Sequence, residues 1–162
     1  MGIPETDPGR LTRQPSELFR FQHVIEHCDT DDSGVVHFAR YPSLIETATL
    51  RGLDRLDIGL SAFREHDLDL VVAELRVKYT APARFLDTVE VTARLSRIGS
   101  AFCLVEGTVE GPGGPKGDPP LLARAELVLA VVDTETGKPA VMPPSMRLVL
   151  SSVADSRGDH HD

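Results

Sequence analysis

The chain has 162 residues, enough for one domain with a buried core, and its 41% hydrophobic and 26% charged residues are ordinary for a globular protein. Twenty-five acidic against seventeen basic residues leave a net charge of −8, which argues against a nucleic-acid partner, because phosphate backbones demand clustered Lys and Arg. No apolar run approaches the ~20 residues that span a bilayer, the first residues carry no secretory signal, and Cys28 and Cys103, lacking metal-type spacing, read as free thiols of a reducing cytoplasm.

Residues 1–15, with Pro4, Pro8 and Pro15, read as a disordered lead, and the domain is expected over 16–152. Phe19, Phe21, His23 and Ile25 alternate with Arg20, Gln22 and Val24, which predicts a first strand over 17–28. Tyr41, Leu44, Ile45 and Ala48 then fall at the i, i+3, i+4, i+7 spacing of an amphipathic helix. Pro42 suits that helix's first turn and Gly52 is expected to end it. Further helical turns are expected over Leu53–Leu60 and Ser61–His66. Strand alternation returns over 70–80, again from Thr88 to Leu95, and after a Gly99-Ser100 turn from Phe102 to Glu110. Residues 110–121, rich in Pro and Gly, form a loop before a last long strand through Leu127, Leu129 and Val131. The turn DTETGK at 133–138 leads to a short return strand at Val141, and 153–162, with His160 and His161, read as a disordered tail. The order strand, helix, then four or more antiparallel strands is α+β. Its long helix buries itself against the concave face of the sheet, the hotdog architecture.

The stretch HCDTDDSGVVHFARYPSLIETA, residues 27–48, carries the chemistry. Three carboxylates, Asp29, Asp31 and Asp32, precede a Ser33-Gly34 turn, and the helix starts near Arg40. Unpaired N–H groups at a helix N-terminus can hold a thioester carbonyl and stabilise its oxyanion. A nearby carboxylate can attack that carbonyl or activate a water. The same Asp residues also serve as turn formers and as a helix cap, the commoner use of Asp in loops.

The stretch resembles the active-site segment of the 4-hydroxybenzoyl-CoA thioesterase family, with its YbgC-like, Tol-Pal-associated acyl-CoA thioesterases. The family pattern D-x-D-x-x-G-x-V matches Asp29 through Val36, and a second family pattern matches Tyr79-Thr80-Ala81-Pro82-Ala83-Arg84 with Asp87. The likeness covers roughly residues 17–133. It implies a hotdog-fold thioesterase acting on an acyl-CoA or acyl-carrier-protein substrate, with no cofactor and no metal. It puts the catalytic carboxylate on Asp31 and the oxyanion donors and pocket on Phe38, Ala39, Arg40 and Tyr41, with Glu46 at an acidic position of the family's helix. It implies Val71, Val72 and Ala73 as substrate-binding strand residues and Arg97 and Ser100 as contacts for the nucleotide end of coenzyme A, with Lys78 and Arg84 as further cations. It also implies a homodimer or homotetramer with sites where subunits meet. Many members carry Tyr-His where this chain has His37-Phe38, so His37 reads equally as pocket lining. Asp32 and His37 also match the Asp-x4-His spacing of hotdog enoyl hydratases, without their Asn-Pro. That reaction, or a non-catalytic acyl-CoA-binding module, is the alternative reading.

Overall fold

The computed structural model describes residues 16–113 and 117–155. The expected lead, the last seven residues of the expected tail and the middle of the Pro/Gly loop lie outside the described residues. Five strands form one antiparallel sheet: β1 (Ser16–Val24), β2 (Leu68–Tyr79), β3 (Thr88–Ile98), β4 (Phe102–Glu110) and β5 (Leu121–Asp133), in the order β1-β3-β4-β5-β2. Helix α1 (Arg40–Arg55) lies across one face, and α2 (Leu60–Arg64) leads into β2. No helix among the described residues is long and apolar enough to cross a membrane.

The core lies between α1 and the sheet. Tyr41, Leu44, Ile45 and Ala48 are all buried, as their spacing predicts. They meet the inward residues of the strands: Val89, Val91, Ala93 and Leu95 of β3, Val105 and Val109 of β4, and Ala123, Ala125, Leu127 and Leu129 of β5. Gly107 lies beneath the centre of α1, where an added Cβ would collide with Ile45 Cγ2, so only a bare backbone lets the helix sit this close.

Several boundaries differ from expectation for local reasons. The first strand stops at Val24, because a 3-10 turn, His27–Asp29, follows and Glu26 and Asp29 cap it reciprocally. Gly52 does not end α1; it is a buried contact against Leu18 and Phe19, and the helix runs on to Arg55. Asp57, at φ 59, turns the chain out of the helix instead. The return strand at Val141 is reduced to a single bridge between Val132 and Pro139. A third helix, α3 (Pro144–Asp155), follows and runs past the expected end of the domain at 152. Its signal was a Pro at the helix start with Met146, Val149 and Leu150 at i, i+3, i+4; Met146 and Leu150 are buried.

Candidate active site

The segment joining β1 to α1 is built on a buried carboxylate. The Asp29 side chain is 1% exposed and has a donor on each oxygen. His23 Nε2 and the Glu26 N–H both lie 2.8 Å from Oδ2, and Arg40 Nε lies 2.5 Å from Oδ1. An ionised carboxylate only accepts, so the His23 ring carries its proton on Nε2. Burial raises the Asp29 pKa, but the bonds from Glu26, His23 and Arg40, with the guanidinium charge, outweigh it and hold the group below its ordinary value. Because Arg40 is the first residue of α1 and His23 belongs to β1, one carboxylate ties the helix start to the strand end.

Asp31 sits differently. It opens a tight turn in which its N–H donates to the Val35 carbonyl at 2.9 Å and its carbonyl accepts from the Gly34 N–H at 3.0 Å. Gly34, at φ +78, supplies the left-handed backbone this turn requires. The Asp31 side chain is exposed, and Oδ1 accepts both the Ser33 N–H (2.8 Å) and the Ser33 hydroxyl (2.5 Å). The hydroxyl bond is the main reason its pKa lies below the ordinary carboxylate value; the Ser33 and Val35 N–H groups act in the same sense. Both Ser33 bonds fall on Oδ1. Asp32 is exposed and makes no bond to His37 among the described residues.

Between this turn and α1 the backbone is pinned step by step. The His37 N–H donates to the Asp29 carbonyl at 2.8 Å, the Arg40 N–H to the His37 carbonyl at 2.9 Å, and the Ala39 N–H to His37 Nδ1 at 3.2 Å. The Phe38 carbonyl accepts the Tyr79 hydroxyl at 2.7 Å. Among the described residues, the Phe38 N–H is the one donor of this run that no acceptor takes. The Phe38 ring is 66% exposed and stacks on His37 at 4.5 Å.

The two sequence motifs meet here. Val35 bridges to Arg84, the Val36 N–H donates to the Ala83 carbonyl at 2.9 Å, and the Ala83 N–H donates to the Tyr41 hydroxyl at 3.1 Å. Tyr41 and Tyr79 meet edge to face at 5.7 Å. Together with Val36, Phe38, Thr80, Ala81 and Pro82 they line a cleft of about 280 Å3.

The remaining expected site residues are not gathered at this cleft within one chain. Val71, Val72 and Ala73 are exposed on β2, six or more residues from Tyr79, about 20 Å at strand rise. Arg97, its guanidinium 5.6 Å from the Phe102 ring, and Ser100 lie at the β3–β4 turn, the end of β3 away from the Asp31 loop. Glu46 is exposed on α1. Lys78 and Arg124 are register partners on β2 and β5, facing away from α1. Glu26, Cys28 and Asp29 bring donor atoms within 4.8 Å, but both Asp29 oxygens are already bonded, so the trio lacks a free ligand set for a metal. Sequence reasoning missed two features: the Asp29–Arg40–His23 cluster, for which no local pattern exists, and the Tyr79 hydroxyl, which lay inside a recognised motif with no role attached.

Residues 25–150 match the family model described as the thioesterase-like superfamily. The chain is 28% identical over 130 residues to the acyl-CoA thioester hydrolase YbgC of Escherichia coli, covering 80% of this chain and 92% of that protein. A thioesterase of Thermus thermophilus, solved with coenzyme A and Zn, superposes with a TM-score of 0.69 at 26% identity, over 86% of this chain and 96% of that one. The 1,4-dihydroxy-2-naphthoyl-CoA thioesterase of Synechocystis superposes with a TM-score of 0.72 at 19% identity, over 88% and 98% of the two chains, a likeness of fold. The five-stranded antiparallel sheet with its helix across one face is the hotdog fold, and the chain belongs to the thioesterase-like superfamily.

Proposed function

We propose that the protein hydrolyses acyl-CoA thioesters to a free acid and coenzyme A, with Asp31 as the catalytic carboxylate and the Phe38 N–H as an oxyanion donor. The observations that support this reading are an exposed carboxylate held below its ordinary value and, seven residues on, an unspent backbone N–H at Phe38, which lines an apolar cleft. The thioester carbonyl oxygen accepts the Phe38 N–H as negative charge develops on it. Asp31 either attacks the carbonyl carbon, the thiolate leaves and water hydrolyses the resulting acyl-aspartyl anhydride to the free acid, or it takes a proton from the water that attacks, and the thiolate leaves as the acid forms. On both routes the water supplies the oxygen of the acid and the proton that the thiolate takes up. The named relative and the coenzyme A complex support coenzyme A over a carrier protein as the thiol. The two unpaired cysteines, one exposed and one buried, support a cytoplasmic setting.

The active unit in this reading is a dimer. Strand β2 is an outer strand of the sheet and exposes Val71, Val72, Leu75 and Tyr79. If two β2 strands pair antiparallel about an axis near Leu75, Val71 to Ala73 of one subunit lie opposite Val77 to Tyr79 of the other, beside the cleft. This pairing brings the expected strand residues to the site that a single chain leaves open.

The test is thiol release from butyryl-CoA and benzoyl-CoA. The wild-type protein is expected to release thiol, and Asp31→Asn to lower kcat by about 10² or more with the fold intact. Turnover within twofold of wild type in folded Asp31→Asn would end the assignment.

A further inference from the structure

We infer that Tyr79 is a positioning residue for the oxyanion donor, replacing a hydrogen bond that Pro42 removes from the start of α1. The inference rests on the reading of Phe38 given above. Ala39, at φ −72 and ψ −14, already has helical dihedrals and precedes the first helical residue, Arg40. With residues 39, 40 and 41 helical, the Phe38 carbonyl is the i→i+4 acceptor for the nitrogen of residue 42. Residue 42 is Pro, which has no N–H and sets its ring toward the carbonyl four residues back.

A helix-start carbonyl at an exposed residue would ordinarily turn to water. Here the Tyr79 hydroxyl, reaching from the end of β2, donates to it at 2.7 Å. The Phe38 carbonyl and the Ala39 N–H belong to one peptide plane, and the N–H side is held by His37 Nδ1 at 3.2 Å. Tyr79 therefore fixes the far side of that plane and with it ψ of Phe38. The preceding plane is tied through the bond from the Arg40 N–H to the His37 carbonyl. The Phe38 N–H lies in that preceding plane, and the turn closed by the Arg40 N–H on the His37 carbonyl sets its aim; ψ of Phe38 is a central dihedral of the same turn, so the aim depends, through the turn, on a side chain from another element. The Tyr41 hydroxyl accepts from the Ala83 N–H, 3.1 Å away, and does not bond the Phe38 carbonyl among the described residues.

The experiment compares the wild type, Asp31→Asn, Tyr79→Phe and the double variant Tyr79→Phe/Pro42→Ala by steady-state thiol release from butyryl-CoA and benzoyl-CoA, with melting temperatures recorded for each. Tyr79→Phe keeps the ring that meets Tyr41 and removes only the hydroxyl. We expect kcat to fall about tenfold, less than the loss of a whole oxyanion donor, while KM stays within about twofold. Pro42→Ala restores an N–H where the Phe38 carbonyl expects one, so the double variant is expected to regain at least about threefold in kcat over Tyr79→Phe. A purely structural role for Tyr79 would lower the melting temperature but leave kcat unchanged at a temperature where both proteins are folded. Amide exchange at Ala39, faster in Tyr79→Phe and slowed again in the double variant, gives the same answer without turnover. Wild-type kcat in Tyr79→Phe, or a loss that the double variant fails to recover, would overturn the inference and leave Asp31 standing. Equal turnover in the wild type and Asp31→Asn would overturn the reading of the site and the inference with it.

Discussion

At the scale of single residues, the informative contrast is between two carboxylates two positions apart. Asp29 is buried with three donors, one of them a guanidinium, and Asp31 is exposed on a turn with donors from Ser33 and Val35, so their removal should read differently. Asp29→Ala leaves the Arg40 guanidinium and the His23 ring facing a void, and is expected to lower unfolding stability by about 3 kcal/mol in denaturant titration. Its folded pKa is depressed, so its contribution is present above the unfolded value near pH 4 and is lost as pH falls through the folded one. Acid unfolding of Asp29→Asn should accordingly be less steep below pH ~4 than that of the wild type; identical acid limbs would contradict the cluster's role. The motif marked Asp31 in the sequence. Nothing local distinguished Asp29, because its burial is decided by His23, six residues before it, and Arg40, eleven after it, a relation that exists only once strand and helix have docked.

At the scale of elements, alternation and helical spacing were legible wherever one face of an element is buried, which is why α1 and the strands β3, β4 and β5 fall close to where the apolar residues place them. Gly52 was misread because a glycine in a helical stretch carries the same letter whether it caps the helix or admits a neighbour. An added Cβ there would lie 2.5 Å from Leu18 Cγ and 3.1 Å from the Leu18 carbonyl oxygen. Gly52→Ala gains about 1 kcal/mol of helix propensity, but the strand backbone in contact cannot retreat without breaking ladder bonds. We expect a net destabilisation of about 1–2 kcal/mol; a rise in melting temperature would show that β1 yields. Helix α3 escaped notice because its stripe is short and follows two prolines, a context that reads as loop until Met146 and Leu150 find the core. Strand β2 is interrupted differently. Its register shifts between Val72 and Glu74, so Val72 and Leu75 share the helix-side face although three positions separate them, and simple alternation fails across the bulge.

At the scale of the whole molecule, the sheet has two outer strands, and they are unlike. β1 is guarded by the Glu17–Arg20–Glu90 ion pairs, whereas β2 presents apolar side chains along its length. If β2 pairs across a two-fold axis near Leu75, Leu75→Glu places two carboxylates close together on that axis. Sedimentation should then shift toward a monomer, and kcat/KM should fall by more than about tenfold while the circular dichroism of the chain is kept. Unchanged sedimentation and activity would rule this pairing out. The sequence made the family readable, and its long, only partly charged stretches 17–28 and 70–80 are the two edges of the sheet; β2 stands outermost because it joins β5 instead of its neighbour β3. The same strand order bears on how the protein is made. β3, β4 and β5 form a meander of sequence neighbours, but β2 pairs from Leu68 to Asp133 with a strand that is synthesised last. About 50 residues separate the completion of β2 from the completion of β5, which at roughly 5–20 residues per second is a wait of several seconds. For that interval the emerging chain carries β2 with neither edge occupied and Val71, Val72, Leu75 and Tyr79 uncovered, so the span of translation between Tyr79 and Asp133 is when a chaperone matters most to this protein.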